Sequence, residues 1–361
     1  MRLENFFRVG TPAVVIATGQ IGISHGKTAY GILRHSRVLK PICILDEYHE
    51  GEDIRRILPD LRSSIPIVSN IETAKNLGAE VAIVAVASVG GVLPDEVRKH
   101  IKKAINSKMD IICGLHYRLS EDPEFSSLAA ENGVKIVDVR KPPKNLKIFD
   151  GSILNRNSYV IDVLGTDCVI GKRTTAAQLW LKTLQLNWKS GFVATGQTGI
   201  MIGADEGIAL DGVPSDFVPG VMEQMIKNVE KLGKEIIFVE GQAAILHPAY
   251  GQVTLGLLYG SMPDAVILVH DPFRKEMSAF EQFSMNDWKK ELEIIEKLGK
   301  TTVIALACLS DEGVERLQRE TDLPVANPLK EEGLNTLILA IKKAITAKIL
   351  NKRRMSNESI S

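Results

Sequence analysis

Gly165, Gly171 and Lys172, within YVIDVLGTDCVIGKRTTAAQLW (Tyr159 to Trp180), have the types and spacing of an anion cradle. A loop that passes from a strand into a helix lines up successive backbone N–H groups. The positive end of the helix adds to their pull on a phosphate. Lys172 brings a point charge there, and Thr174 and Thr175 bring hydroxyls into the first helical turn, where a hydroxyl can ligate Mg²⁺. Thr166, Asp167 and Cys168 make up the rest of the loop's first half. Two departures from the commonest form matter. Five residues separate Gly165 from Gly171, and Arg173 follows Lys172 where Ser or Thr is usual. Arginine cannot ligate a cation. If Mg²⁺ is used, its ligands are expected to be Thr174 or Thr175 with an acidic strand end, Glu240 before Asp205.

The loop resembles the phosphate loop of the dethiobiotin synthetase kind, which reads GTDTxxGKT and also has five residues between its glycines. This chain keeps Gly165, Thr166, Asp167, Gly171 and Lys172 of that pattern and departs from it at Arg173.

Further polar clusters follow apolar strand-like runs, where an open parallel sheet places its ligands. ATGQTGIMIGADEG offers Gln197 and Asp205, IIFVEGQAAILHPAYG offers Glu240, Gln242 and His247, and AVILVHDPFR offers His270 and Arg274. His247 and His270 are candidate bases because imidazole titrates near neutrality, and each has the alternative of a loop histidine bonded to backbone. The first half carries a looser glycine pattern, VVIATGQIGISHGKTAYGIL. Lys27 and Thr28 open a helix there, and Asp46 closes the next strand, where a ribose-binding carboxylate sits in a dinucleotide fold. AVASVGGVLPDE adds another glycine-rich turn. Such lone patterns fit a ligand role and a purely structural one equally well.

Short β-branched runs alternate with helix-period segments along the whole chain, which predicts parallel βαβ units. Strands are expected at 13–17, 42–45, 81–86, 110–113 and 135–137, with helices near 27–35, 72–77, 95–106 and 124–132. KPPKNLKIFDGSILNRN breaks this pattern. The second half gives strands at 159–164, 192–194, 236–239, 265–269, 302–307 and 324–326. Its helices are one after Lys172, with Ala177, Trp180, Leu181, Leu184 and Trp188 on one face, and two at 216–232 and 334–349. The predicted class is α/β with two domains: a Rossmann-like parallel sheet over 1–148 and a P-loop NTPase-like parallel sheet over 149–350. A polar tail over 351–361 is expected to be disordered.

Lys+Arg and Asp+Glu both number 44 in 361 residues, so no broad basic surface speaks for nucleic acid. The longest apolar run, VAIVAVASVGGVL, falls short of the roughly 20 residues that span a bilayer. The start, MRLENFFRVG, has no apolar signal core. Cys43, Cys113, Cys168 and Cys308 lack metal-site or disulfide spacing. A cytoplasmic homo-oligomer acting on a small molecule, without nucleic acid or membrane, is the expected setting.

Taken together the segments resemble the domain-of-unknown-function 1611 family, some of whose members are described as D-glutamate N-acetyltransferases. The resemblance runs from about Thr11 to Ile349. It rests on SVGGVLPDEVRKHIKKAI, DIICGLHYRLSEDPEF, VDVRKPP, GTDCVIGKRTTA, ATGQTGIMIG, EGQAAILHPAYGQVTLGLLYGSMPDAVILVHDP and the terminal ANPL. Ala243 and Ala244 stand where the family commonly has Gly-Ser. The resemblance implies acetyl transfer from acetyl-CoA to the amine of a small acidic amino acid. The 165–175 loop would then hold the CoA pyrophosphate, Arg173 or Arg274 the substrate carboxylates, and His247, Glu240 or Asp205 the proton. The same cradle would also serve an ATP- and Mg²⁺-dependent kinase or ligase, or a nucleotide-binding regulator or metallochaperone.

Overall fold

The computed structural model describes residues 1–361 apart from 24–25, 62, 87–91 and 359–361, and the side chains of 351–358. The glycine-rich turn of AVASVGGVLPDE lies outside the described residues. Two compact units emerge. One comprises 1–144 with 196–212, and the other 145–195 with 213–361. The excursion at 196–212 is not anticipated by a single cut at 148/149.

The first unit carries β1 (Thr11–Ile16), α1 (Lys27–His35), β2 (Leu39–Leu45), β3 (Ile67–Val68), α2 (Ile71–Asn76), β4 (Val81–Val84), α3 (Asp95–Asn106), β5 (Asp110–Cys113), α4 (Pro123–Asn132) and β6 (Ile136–Asp138). The strands are all parallel, in the order β3-β2-β1-β4-β5-β6. That is the doubly wound Rossmann order, with its switch point between β1 and β4. Local sequence sets the helix ends. Asn70 accepts the N–H of Thr73 at 2.8 Å to start α2. Asp122 and Pro123 start α4, and Gly133, at φ +67°, ends it.

The second unit begins with β7 (Tyr159–Gly165), α5 (Lys172–Gln185) and β8 (Ser190–Ala194). Then come the short α6 (Gln197–Met201) and β9 (Glu206–Gly207), which lie in the 196–212 segment. The second unit resumes with α7 (Val218–Lys231), β10 (Ile236–Glu240), α8 (Gly251–Ser261) and β11 (Ala265–Val269). An antiparallel hairpin of β12 (Glu276–Met277) and β13 (Phe280–Ser284) precedes α9 (Trp288–Gly299), β14 (Val303–Ala307), α10 (Asp311–Gln318), β15 (Val325–Ala326) and α11 (Glu331–Glu358). Within this unit β15-β14-β11-β7-β10-β8 lie side by side and parallel. The phosphate-loop strand β7 is central and wholly buried. Chain order reverses around it, so the carboxyl end of β7 is the topological switch point where α/β sheets bind ligands.

Three expectations need correction. In α5 the buried residues include Ala176, Ala177, Leu179, Trp180 and Thr183, whereas Leu181 and Leu184 are only half-buried and Trp188 lies beyond the helix. The helix packs on the sheet and also against α11, so it has no single apolar stripe. Residues 351–358, expected as part of a disordered tail, continue α11, which runs through Glu358. The helices α8, α9 and α10 and the β12–β13 hairpin are additions to the elements expected from sequence. Among the described residues no helix is long and apolar enough to cross a membrane.

Candidate active site

The loop after β7 follows the path its glycines permit. Gly171 has φ +105°, a region open to glycine, and a Cβ there would meet the Leu309 side chain at 2.5 Å. Val169, β-branched, is held at φ +53°. Strain of this kind persists where the surroundings over-determine the backbone, as they do at ligand sites. Gly171 has no side chain to cap α5, so the helix opens with its N-terminal N–H groups turned to the loop. Lys172 is buried, and its ammonium donates to the carbonyl of Asp167 across the loop. Burial pulls the Lys172 pKa down to about 8, against the opposing pull of Cys168, Asp167 and Glu240. Thr174 and Thr175 are buried in the first turn of α5, and Thr175 Oγ1 has no hydrogen-bond partner. A buried orphan hydroxyl beside a buried ammonium fits a phosphate-bearing ligand with or without Mg²⁺. Arg173, half-buried, follows Lys172 directly.

Asp167 is fully buried and organises one wall of the site. Its Oδ2 accepts from the Arg274 guanidinium and from the N–H of Ser278, both at 2.8 Å. Arg274 also donates to the carbonyls of Cys168 at 2.6 Å and Val169 at 3.0 Å. Those contacts make Arg274 a brace of the phosphate loop, where the sequence suggested a clamp on substrate carboxylates. The other oxygen, Oδ1, faces His247 Nε2 at 3.6 Å, and both atoms are buried without a hydrogen-bond partner.

His247 stacks on Tyr250, with ring centres 4.9 Å apart, and meets Phe280 edge-on at 5.2 Å. Its Nδ1 accepts the N–H of Ala249 at 3.2 Å. A ring nitrogen that accepts cannot carry the proton, so neutral His247 is protonated on Nε2, the atom turned toward Asp167. Burial lowers the His247 pKa, Asp167 raises it and Lys172 lowers it further. His247 is therefore a neutral donor aimed into the site, and its expected role as a base meets an occupied lone pair. Asp167, Cys168 and His247 bring their ligand atoms within 4.8 Å of one another. The same tautomer speaks against a metal there, because ligation through Nε2 requires the proton on Nδ1.

On the other side of β7, Glu240 ends β10. Its Oε2 accepts the N–H of Thr195 at 3.1 Å, and its backbone carbonyl accepts the Thr195 hydroxyl at 2.7 Å. Gln242 donates to that same hydroxyl at 2.7 Å, so it reaches Thr195 rather than open space. Gly241 passes so close to β7 that a Cβ would sit 2.3 Å from the Val163 carbonyl oxygen. His270, at the end of β11, has its Nδ1 2.8 Å from Thr166 Oγ1, and burial pushes its pKa down to about 4. It is neutral at physiological pH and a weak base.

Gln197 and Asp205 lie in the 196–212 segment and belong with the first unit. Gln197 accepts from Arg140 at 2.7 Å, within that unit. Asp46, in the ribose position of the first sheet, has its oxygens taken by the N–H groups of Gly19 and Tyr48 and by the His49 ring. That set closes the β2 turn.

One residue of the site is absent from the candidates that sequence offers. Glu291 of α9 is buried and accepts the N–H groups of Ile245 and Leu246, holding the segment that carries His247. Burial raises its pKa to about 7. Removing both acceptors strands two amides, so Glu291→Ala is expected to lower unfolding stability by about 2–6 kcal/mol, at roughly 1–3 kcal/mol per orphaned group. Glu291→Gln, which keeps one acceptor, should lose less. Urea titrations of both variants check the order.

Known proteins resemble this chain in sequence and fold. Residues 147–338 match the family model described as a domain of unknown function, the DUF1611 P-loop domain, and residues 47–142 match the DUF1611 Rossmann-like domain. The chain belongs to the DUF1611 family. A DUF1611 family protein of known crystal structure, from Anabaena variabilis, superposes with a TM-score of 0.85 at 28% identity, covering 92% of this chain and 100% of that one. Two curated relatives are named D-glutamate N-acetyltransferase. The Pseudoalteromonas sp. protein is 31% identical over 278 residues, 73% of this chain and 82% of its own length. The Tritonibacter scottomollicae protein is 35% identical over 215 residues, 60% of this chain, which spans 63% of that relative's length. The two DUF1611 domains correspond to the Rossmann-like and P-loop sheets described above.

Proposed function

We propose that the protein transfers an acetyl group from acetyl-CoA to the amine of a small acidic amino acid, D-glutamate by analogy with its two named relatives. The observation that carries this reading is the pairing of a buried ammonium at a helix start with a neutral, Nε2-protonated His247 that reaches the phosphate loop from the segment after β10. The Lys172 ammonium and the α5 N–H groups would hold the donor's phosphates. His247 Nε2–H would donate to the oxyanion that forms when the amine attacks the thioester carbon. Glu240 would take the proton lost by the amine, the C–S bond would break, and that proton would pass to the departing thiolate, which leaves as the free thiol. Arg173, in the place of a usual metal-ligating hydroxyl, suits a reaction that needs no divalent cation.

Enzyme with acetyl-CoA and D-glutamate in excess chelator is expected to release free thiol and N-acetylglutamate in equal amounts, read by a thiol reagent and mass spectrometry. His247→Ala should lower kcat by about 10²-fold or more, in the range of a lost oxyanion donor. The orphaned Thr175 hydroxyl favours one alternative, an ATP- and Mg²⁺-dependent kinase or ligase. Substrate-stimulated ATP hydrolysis without acetylated product would replace the first reading with that one.

A further inference from the structure

An open pocket of about 430 Å³ lies in the second unit beside the phosphate loop, lined by His270, Arg274, Asn286, Lys289, Arg316 and Glu320 among others. Its volume is that of a small-metabolite site. Two of its lining residues also belong to the loop's own network. His270 is 2.8 Å from Thr166 Oγ1, and Arg274 braces Asp167, Cys168 and Val169. The mouth carries Lys289 and Arg316, neither used by the phosphate loop. Arg316 lies over the Phe273 ring at 5.4 Å and Lys289 over Trp288 at 5.4 Å. Glu320 is held there by the Trp288 indole N–H at 3.1 Å, with Arg316 3.6 Å from its other oxygen. Two cations and one fixed carboxylate make a surface that complements a small molecule with two carboxylates and an ammonium.

We propose that this pocket is the binding site for the acidic acceptor, a dicarboxylate amino acid, held through Lys289 and Arg316 while the phosphate loop holds the donor. The inference rests on the acetyl-transfer reading for the acceptor's identity, but the anion site stands on the pocket itself. Shared chemistry leaves a second source of anion, the 3′-phosphate of the donor, and the experiment separates the two.

Calorimetry on the full chain would titrate glutarate, D-glutamate and adenosine 3′,5′-bisphosphate into wild type, Lys289→Glu, Arg316→Ala and Lys172→Met. Lys289 is exposed, so its variant should fold even if Arg316→Ala does not. Lys289→Glu is expected to weaken glutarate and D-glutamate binding at least tenfold and leave the bisphosphate unchanged, with Lys172→Met doing the reverse. A Lys289→Glu protein that loses the bisphosphate but keeps glutarate would assign the pocket to the donor and overturn the proposal. Unchanged binding of all three would overturn it as well. Failure of the acetylation assay with glutarate binding still sensitive to Lys289 would remove the activity and leave the pocket. Acetylation with an unaltered KM for D-glutamate in Lys289→Glu would do the opposite.

Discussion

Replacing Lys172 with methionine is expected to weaken phosphate-ligand binding by about 10²-fold while making the unliganded protein more stable. The two effects share one cause. The ammonium is buried at the head of α5, with a backbone carbonyl as its hydrogen-bond acceptor, and its pKa falls from 10.5 to about 8. A Lys whose folded pKa is depressed carries a cost that is complete below the folded pKa. That cost disappears as pH rises through the unfolded one. Below pH 8 the cost is about 3 kcal/mol, from 1.36 kcal/mol per pKa unit. Methionine fills similar space without a charge, so Lys172→Met should gain roughly 2–3 kcal/mol at pH 7 and lose that advantage by pH 10.5. Thermal melts across this range test the trend.

A bound phosphate restores what burial removes, because its charge stabilises the ammonium. Affinity in the wild type should therefore be level below pH 8 and fall as the free enzyme's Lys172 deprotonates above it. In Lys172→Met it should be weaker by about 10²-fold, the scale of one charge-assisted contact in a water-poor site, and flat with pH. A methionine variant that binds adenosine 3′,5′-bisphosphate like wild type would remove the loop from the site.

The parts of this fold that are legible in sequence are those where one pattern has one physical meaning. Gly171 and Lys172 announce the loop because glycine is favoured at the positive φ where the helix opens and a cation suits a helix start facing an anion. The β-branched runs announce parallel strands because both faces of each sheet are covered. By contrast, α8 is hidden by its own glycines in GQVTLGLLYGS. Here they are packing residues, since a Cβ at Gly260 would sit 2.3 Å from the Pro219 carbonyl of α7. The excursion at 196–212 is hidden because nothing in the sequence of the short α6 and β9 says which unit they pack with. The WKKELEIIEKLG run of α9 does carry a signal, with Trp288, Glu291 and Ile295 buried at helical spacing. An acid in that stripe is the clue to Glu291. The roles of His247 and Arg274 depend on which atoms of Ala249 and the loop carbonyls they meet, which no spacing encodes.

The same blindness applies to Asp162, an acid in the middle of the wholly buried β7, and here the expected effect is again large. Its Oδ2 accepts the Ser261 hydroxyl at 2.6 Å, while Oδ1 is buried without a hydrogen-bond partner. Burial raises its pKa from 3.8 to about 8, so the folded protein holds it protonated at neutral pH. For an acid with a raised folded pKa, stability is fully present below the unfolded value and is lost as pH rises through the folded one. The loss at pH 7 is about 4 kcal/mol for this group alone. An asparagine at this position is neutral at every pH, so Asp162→Asn should match wild type near pH 4 and gain on it steadily up to pH 8. Glu291, raised to about 7, acts in the same direction, and the Asp162→Asn/Glu291→Gln pair should flatten the profile further. The measurement is the difference in urea midpoint between variant and wild type at each pH from about 4 to 9. A difference that does not change with pH would mean that Asp162 is ionised in the native core. Its charge would then have to be met by Arg156, the cation whose field lowers its pKa. An Arg156→Met variant would separate the two cases, strongly destabilised at pH 7 if Asp162 is charged and little changed in its pH dependence if it is not.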